Sequence, residues 1–207
     1  MSPIDTAPID AAATSSELVS RALAKASAEH AGQVRNGSGG LPYIEHPRMV
    51  AATLAGHGYA EATIAAALLH DVVEDSDTTV DDLRAEFGDD IAELVAALSD
   101  DESIEDYRER KEEHRARITA VDGDAFAIYA ADKLTNLKTI HRSLQREGQA
   151  AVAEEFKVPL ELKLEVWAAD AAMLHREAPD LPLLDALDEA IRLLRADLGA
   201  AAPRPCT

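Results

Sequence analysis

The segment ATIAAALLHDVVED, residues 62–75, runs from eight mostly apolar residues into one histidine and three carboxylates. If a helix continues through it, side chains four residues apart share a face, so His70 lies beside Glu74 and Asp71 beside Asp75. Charged side chains are seldom fully buried unless they are paired or bind a metal. The segment therefore predicts a metal site at the end of a helix whose earlier turns are buried.

A second group of polar residues follows one face of a helical pattern further along the chain. Asp132, Asn136 and Thr139 lie at i, i+4 and i+7, which gives one polar face to an otherwise apolar helix. A lone aspartate in a helix is usually a solvated surface residue. This pattern alone therefore leaves a surface role and a site role open.

Composition predicts an all-α protein. The chain has 207 residues, of which 47% are hydrophobic and only 4% aromatic, and its apolar residues are mainly Ala and Leu. Good helix formers dominate nearly every segment, and no β-type alternation is sustained beyond a few residues. The length suits one large domain or two small ones, and a single helical domain is the simpler interpretation.

The ends of the chain differ from its middle and predict the domain boundaries. Residues 1–14 lack a periodic apolar pattern and are predicted to form a disordered tail. The domain is predicted over 15–198, followed by a flexible, Pro-containing tail over 199–207. The first helix is predicted to begin at Ser15 or Ser16, where a hydroxyl can cap free backbone N–H groups.

Several other helices are predicted from turn and capping residues. Pro47 suits the first turn of a helix, which places His46 beside that helix's N-terminus. Thr79 begins a capping-type sequence for a short helix that ends at Gly88. Longer helical patterns cover 124–147, 154–177 and 181–198.

Charge and cysteine content exclude several classes of function. The formal net charge of -19 repels a phosphate backbone, so we expect no polymeric nucleic-acid partner, although local cations could still hold a small anionic substrate. The single cysteine, Cys206, excludes an intrachain disulfide and a cysteine-based zinc site. No stretch approaches the roughly 18 apolar residues of a membrane span, and the N-terminus lacks a secretory pattern. We expect a cytoplasmic protein with no membrane partner; the sequence leaves its oligomeric state open.

Taken together, His46, His70, Asp71 and Asp132 resemble the H…HD…D signature of the HD phosphohydrolase superfamily. Over about residues 18–180 the resemblance is to the hydrolase domain of RelA/SpoT-type alarmone enzymes. It is carried by the motifs QVR (33–35), PYIEHP (42–47), LLHDVVEDSDTT (68–79), FG (87–88) and ADKLTNLKT (131–139). No synthetase-like region follows, so alarmone synthesis is not expected from this chain.

The resemblance implies an HD-domain helical bundle with one divalent metal, held by His46, His70, Asp71 and Asp132. Mn²⁺ is the usual metal of the family. Two imidazoles and two carboxylates without a thiolate suit such an ion, and Zn²⁺ or Fe²⁺ stay open. By the same similarity, Glu74 and Asp75 are expected to assist a water molecule or a proton transfer as the catalytic pair. The alternative is that they are merely an acidic helix end.

The family's substrate is guanosine tetra- or pentaphosphate. The resemblance therefore implies hydrolysis of the 3′-pyrophosphate of guanosine 3′,5′-bis(diphosphate) by a metal-activated water, which releases GDP and pyrophosphate. The candidate substrate-binding residues match motif positions that line the nucleotide pocket in the family, although each could have a structural role instead. They are Arg35, Tyr43, Lys133, Asn136 and Thr139.

Departures from the family pattern leave the substrate open. Asn36 stands where relatives usually have a basic residue, and the loop before Pro42 is about two residues longer. Lys133 and Thr135 stand where Arg and His are common, and lysine lacks arginine's bidentate fork. One alternative is therefore a phosphohydrolase for another nucleotide, such as a nucleoside monophosphate or NADPH. Another is a non-catalytic HD module that binds or regulates.

Two further sets of residues receive structural interpretations. The basic-rich run over 107–117 is predicted to be a solvated helix with i,i+4 ion pairs. Its alternative is a phosphate-binding face of Arg108, Lys111 and Arg115. Trp167 is predicted to belong to the core. Structural or surface roles are predicted for the histidines outside the motif, which are His30, His57, His114, His141 and His175.

Overall fold

The computed structural model describes residues 5–121 and 123–201. These residues form twelve α-helices and no β-strand, with one isolated antiparallel bridge between Val34 and Pro42. The all-α prediction is confirmed. The helices are α1 Ala7–Ser15, α2 Glu17–Glu29, α3 Glu45–Gly56, α4 Glu61–Leu69, α5 Val72–Asp75, α6 Val80–Phe87, α7 Asp89–Leu98, α8 Tyr107–Val121, α9 Asp124–Glu147, α10 Gln149–Glu154, α11 Leu160–Glu177 and α12 Leu184–Ala201.

Helix α9 lies at the centre of the bundle and packs against α3, α4, α7, α8, α10, α11 and α12. Every residue over 125–135 is buried, so this half of the helix is covered on all sides. A polar residue placed there must find its partners inside the protein. The interpretation of Asp132 as a solvated surface residue is therefore wrong.

Helix α4 is the second buried element, and α2, α3, α7 and α9 surround it. Residues 63–69 are all buried, and three consecutive alanines, Ala65 to Ala67, allow neighbouring helices to approach closely. The only polar side chain in this stretch, Thr63, donates its hydroxyl to the Asp124 carboxylate at the start of α9. This hydrogen bond joins the N-terminal ends of α4 and α9.

The prediction of a disordered tail over 1–14 is wrong for the part of it that the structure describes as α1. Ile9 is fully buried, and Ala12 and Ala13 pack against the core. Arg48 on α3 forms an ion pair with Asp10 at 2.8 Å. A single isoleucine among alanines produces too weak an apolar period to be detected from sequence. Residues 1–4 lie outside the described residues.

At the other end, α12 continues to Ala201, so the tail predicted over 199–207 begins later than expected. Residues 202–207, including Cys206, lie outside the described residues. Within the described part, no helix is long and apolar enough to cross a membrane.

Helix termini follow the capping residues that the sequence indicated. The Ser16 hydroxyl accepts from the Val19 N–H at the start of α2, and Thr79 forms a capping box with Asp82. Helix α9 has the predicted bounds. The pattern predicted over 154–177 is interrupted, because Pro159 precedes α11 and disfavours helical geometry at the residue before it.

Replacing Ile9 with alanine tests whether α1 belongs to the cooperative fold. We expect Ile9→Ala to lower the free energy of unfolding by about 2–5 kcal/mol, because it leaves a cavity between α1 and the core. Val121→Ala, at a side chain that is 45% exposed, should change it by less than about 0.5 kcal/mol. Chemical denaturation measures both values. Equal, small effects would show that α1 is not part of the folding unit.

Candidate metal centre

Three separate elements bring the predicted metal ligands together. His46 lies in the first turn of α3, His70 and Asp71 lie between α4 and α5, and Asp132 lies in the buried half of α9. His46 is 1% exposed, His70 3% and Asp132 9%. Because α3, α4 and α9 pack against one another, the ligand positions depend on the core of the bundle.

The helix predicted to continue through residues 62–75 is broken, which corrects the sequence interpretation. Helix α4 ends at Leu69, His70 and Asp71 form a turn, and the short helix α5 follows. Adjacent residues on an unbroken helix would point about 100° apart. In this turn, His70 Nε2 lies 3.1 Å from Asp71 Oδ1, so both side chains serve one site.

The ligand atoms converge on one small volume. His46 Nε2 lies 3.0 Å from Asp132 Oδ1 and 3.5 Å from Asp71 Oδ2, and His70 Nε2 lies 3.8 Å from Asp132 Oδ1. One ligand atom from each of His46, His70 and Asp132 falls within 4.8 Å of the other two. Atoms that bind one ion at about 2.0–2.2 Å each have separations of this size.

The His70 ring has the hydrogen bonding expected of a metal ligand. His70 Nδ1 contacts the Ala67 carbonyl oxygen at 2.9 Å; with the proton on Nδ1, the Nε2 lone pair faces the carboxylates. Both Nε2 atoms are buried, and neither has a hydrogen-bond partner among the described residues. Buried polar atoms are rarely left in this state without an ion or water. The site therefore fits a divalent cation.

Charged neighbours alter the pKa values of the two imidazoles in opposite directions. Burial and the nearby Arg35 guanidinium lower the pKa of His46 to about 4. Burial also lowers the pKa of His70, but the Asp71 and Asp132 carboxylates outweigh it and raise the value to about 9. Without a metal, the site attracts a proton to the position between the carboxylates.

Asp132 is held ionised by its own helix. Lys133 Nζ donates to Oδ2 and Asn136 Nδ2 donates to Oδ1, both at 2.7 Å. Burial opposes ionisation, but Lys133 and the histidines keep the Asp132 pKa well below its usual value. The Lys133 ammonium also lies 4.2 Å from the centre of the Tyr129 ring. Lys133 thus contacts a candidate metal ligand as well as lining the cavity.

A second cluster connects the metal ligands to the predicted nucleotide-binding residues. Tyr43 donates its hydroxyl to Asp71 Oδ2 at 2.9 Å, and its ring stacks on His30 at 4.6 Å. Arg35 donates to the Asn136 side-chain oxygen and lies 3.7 Å from Asp71 Oδ2. Burial and Asp71 raise the pKa of Tyr43 far above its usual value, so the phenol keeps the proton that it donates.

All five predicted substrate-binding residues line one cavity of about 470 Å³, together with His70, Asp71 and Asp132. Thr139 lies in its wall two turns after Asp132. His46 is not among the lining residues. The structure therefore brings the candidate substrate-binding residues together around one cavity.

Glu74 and Asp75 line the same cavity but differ in environment. Glu74 accepts a hydrogen bond from the Asp100 backbone N–H at 2.6 Å. Burial, followed by the charges of Asp71 and Asp100, raises the pKa of Glu74 to about 8. Asp75 lies at the cavity edge and is more exposed to solvent. The part of its carboxyl group that is desolvated still raises its pKa. Glu74 is therefore the carboxyl group suited to exchange a proton near neutral pH.

The far end of the cavity was largely missed by sequence analysis. Asp100 lies there beside two cations and an imidazole: Arg110 Nε is 3.6 Å away, Lys111 Nζ forms an ion pair with it, and His114 Nδ1 is 2.8 Å away. Other lining residues that sequence analysis missed include Tyr107, Tyr129, Phe156, Lys163, Trp167 and Asp170. An aspartate two residues after the partly buried helix α7 was a usable signal for Asp100, but no local signal marks α11.

The basic-rich run over 107–117 is divided between cavity and surface. Lys111 faces the cavity, whereas Arg108 pairs with Glu165 at 2.5 Å on the exposed side and Arg115 pairs with buried Asp170 at 2.9 Å. The alternative interpretation, in which Arg108, Lys111 and Arg115 form one phosphate-binding face, is therefore wrong. Trp167 is buried as predicted, yet it also borders the cavity.

A protein-family model described as an HD domain matches residues 22–167, which is more than half of the chain. The chain belongs to the HD-domain family. The matched part of this HD domain begins within α2 and ends within α11, so it contains all four predicted ligands.

Several proteins are similar to this HD domain. A guanosine-3′,5′-bis(diphosphate) 3′-pyrophosphohydrolase from Aquifex aeolicus (strain VF5) is 37% identical over 156 residues, covering 73% of this chain and 22% of the relative. The enzyme of that name called MESH1 from Danio rerio is 36% identical over 135 residues, covering 63% of this chain and 73% of the relative. A solved structure of a metazoan ortholog of SpoT that hydrolyzes ppGpp has a TM-score of 0.70 at 29% identity, covering 86% of this chain and 95% of that one.

The chain spans about a fifth of the length of the first bacterial relatives it matches. It spans nearly all of the solved metazoan structure. The similarity therefore lies in the HD domain itself.

Metal binding can be tested through stability. We expect Mn²⁺ to raise the Tm of the full chain, because an ion that binds only the folded state stabilises it. His70→Gln should abolish the shift, since it removes a buried ligand nitrogen. His175→Gln, at an exposed histidine paired with Asp188, is the matched control and should retain it. A full shift in the His70 variant, measured by thermal denaturation, would show that the ion binds elsewhere.

Proposed function

We propose that this HD domain hydrolyses the 3′-pyrophosphate of guanosine 3′,5′-bis(diphosphate), a divalent-metal-dependent reaction that releases GDP and pyrophosphate. The observation that carries the proposal is the convergence of His46, His70, Asp71 and Asp132 beside a cavity lined by Arg35 and the other nucleotide-binding candidates. The printed activities of the Aquifex and Danio rerio relatives support the substrate.

The metal proposed for the site is Mn²⁺, with Zn²⁺ and Fe²⁺ as alternatives. The four ligands offer imidazole nitrogen and carboxylate oxygen without sulfur, which suits a borderline-to-hard ion. When bound, such an ion supplies a lowered pKa for a nearby water molecule and neutralises phosphate charge. Asn136, Lys133 and Tyr43 would hold the carboxylate ligands in orientation through the hydrogen bonds described above.

Glu74 is proposed to act as the group that takes the proton from the attacking water. A catalytic base works best when its pKa lies near the working pH, and burial next to Asp71 and Asp100 raises that of Glu74 to about 8. Asp75 is proposed to assist from the cavity edge, close to the Tyr43 hydroxyl.

Arg35 is proposed to bind the phosphates that are cleaved. Its guanidinium lies between Asn136 and Asp71, at the side of the metal ligands. Guanidinium groups bind phosphate oxygens through two parallel hydrogen bonds, which fixes orientation as well as charge. Thr139, further along the same face of α9, is proposed to contact the nucleotide.

The domain proposed for this activity is the one predicted over 15–198, extended to include α1. Helix α1 packs against α2 and α3, and α3 carries His46. A cytoplasmic location and the absence of nucleic-acid and membrane partners remain predictions from the sequence.

Pyrophosphate release from guanosine 3′,5′-bis(diphosphate) in the presence of Mn²⁺ tests the function directly. We expect conversion to GDP, measured by chromatography, and a loss of at least about 100-fold in kcat for Asp71→Ala. Asp188→Ala, at an exposed carboxylate, should stay within about twofold of the wild type. A parallel panel should contain NADPH and nucleoside monophosphates. No conversion by metal-loaded protein would reject the proposal, and any panel substrate would replace it.

Glu74→Gln tests the proton-transfer role. The amide keeps the shape and can still contact the Asp100 backbone, but it cannot take a proton at neutral pH. We expect kcat to fall by about 10²–10⁴-fold. The Mn²⁺-induced rise in Tm should remain, because the four ligands are unchanged. A kcat within about threefold of the wild type would assign the proton transfer to another group.

A further inference from the structure

Lys163 extends from α11 into the far end of the cavity, where three aromatic rings surround its ammonium group. The distances from Nζ to the ring centres are 4.9 Å for Phe156, 5.5 Å for Tyr107 and 5.8 Å for Trp167. Across residues 5–121 and 123–201, no carboxylate oxygen lies within 4.0 Å of it. Lys163 is therefore a partly buried cation with aromatic neighbours and no ion pair.

Apart from Lys157 at the exposed edge, the other lysines and arginines of the cavity wall have carboxylate partners. Lys111 is paired with Asp100, and Lys133 is paired with Asp132. A partly buried ammonium group without such a partner loses hydration, and ring faces restore only part of that loss. Burial, followed by the charges of Lys111 and Lys133, accordingly lowers the pKa of Lys163 to about 8. An anion placed against Lys163 would remove this electrostatic cost.

The proposed substrate carries two diphosphate groups, and only one of them can lie at the metal centre. Cleavage requires the 3′-diphosphate beside the proposed ligands on α3, on α9 and in the turn after α4, so the 5′-diphosphate must lie elsewhere in the same cavity. The end formed by α8 and α11 offers Lys163 and, at its exposed edge, Lys157. We propose that Lys163 binds the 5′-diphosphate of a nucleotide whose 3′-diphosphate lies at the metal centre. The inference rests on the proposed function and adds a residue that determines its specificity.

The loop over 36–40 supports this end of the cavity. Gly37 has φ +69°, and a Cβ atom there would overlap the Phe156 ring. The Gly37 N–H donates to the Glu155 side chain at 2.6 Å. The loop before Pro42 therefore packs on one wall of the aromatic cluster around Lys163.

The chain contains one tryptophan, Trp167, so its fluorescence reports on this end of the cavity. GDP is the probe, because it carries a 5′-diphosphate and no 3′-phosphate. We expect GDP to change the Trp167 emission of the Mn²⁺-loaded full chain, and we expect this change to saturate as the GDP concentration rises. Lys163→Met should weaken GDP binding at least about tenfold, as expected for losing a charge-assisted contact. Lys163→Arg should stay within about threefold of the wild type.

Two controls separate phosphate binding from other effects. Lys138→Met removes a half-buried lysine of α9 that lies outside the cavity lining, and it should bind GDP as the wild type does. Guanosine, which has no phosphate, should give no saturating change at the same concentrations. No saturable response to GDP in the wild type, unchanged affinity in Lys163→Met, or guanosine binding as tight as GDP would each overturn the inference. Guanosine binding as tight as GDP would instead indicate that the aromatic rings around Lys163 bind the guanine base.

Kinetics distinguish this inference from the proposed function. With guanosine 3′,5′-bis(diphosphate), Lys163→Met should raise KM by about tenfold and leave kcat within about threefold, because the residue does not touch the cleaved bond. An unchanged KM in Lys163→Met would overturn the role of Lys163 in binding the 5′-diphosphate. It would not affect the proposed hydrolase function. If the wild-type protein binds GDP through Lys163 but hydrolyses no nucleotide, the proposed hydrolase function is rejected. The role of Lys163 in binding the 5′-diphosphate is then retained.

Discussion

The electrostatic cost of burying Asp71 and Asp132 beside one another governs the organisation of this protein. Two carboxylates that lose their hydration repel each other, so both stay ionised only where cations or hydrogen-bond donors surround them. Lys133 and Asn136 supply such contacts to Asp132, and Tyr43 and Arg35 supply them to Asp71. The two Nε2 atoms without hydrogen-bond partners mark where a divalent ion would complete the compensation.

The helical bundle keeps these groups at fixed positions. Alanine-rich α4 and the fully covered half of α9 approach closely, so the turn at His70 and Asp71 is held against Asp132. The break in the helix is as important as the helices, because it brings two adjacent side chains to one point. Such precision is available to residues on packed elements and not to residues on free loops.

Sequence reasoning predicted the fold and the metal end of the cavity, and it failed where chemistry depends on packing alone. The His-Asp pair, Asp132 and the residues that follow it stand in local patterns with a recognisable order. Helix α1 escaped detection because Ile9 is its only large buried residue. Lys163 and Trp167 follow an ordinary helical pattern, and only the arrangement of α8 against α11 shows that they border a cavity. The break at His70 was missed because neither glycine nor proline marks it.

The cations of the cavity face inward, whereas the chain as a whole carries a formal charge of -19. A nucleotide with several phosphates therefore approaches through a repulsive outer field before it meets attractive groups. Dissolved ions weaken the long-range repulsion more than the short contacts inside the cavity. We expect capture of such a nucleotide to become faster as ionic strength rises, the reverse of the usual electrostatic steering between opposite charges. The acidic exterior thus favours anionic ligands whose attractive contacts inside the cavity outweigh the repulsion outside it.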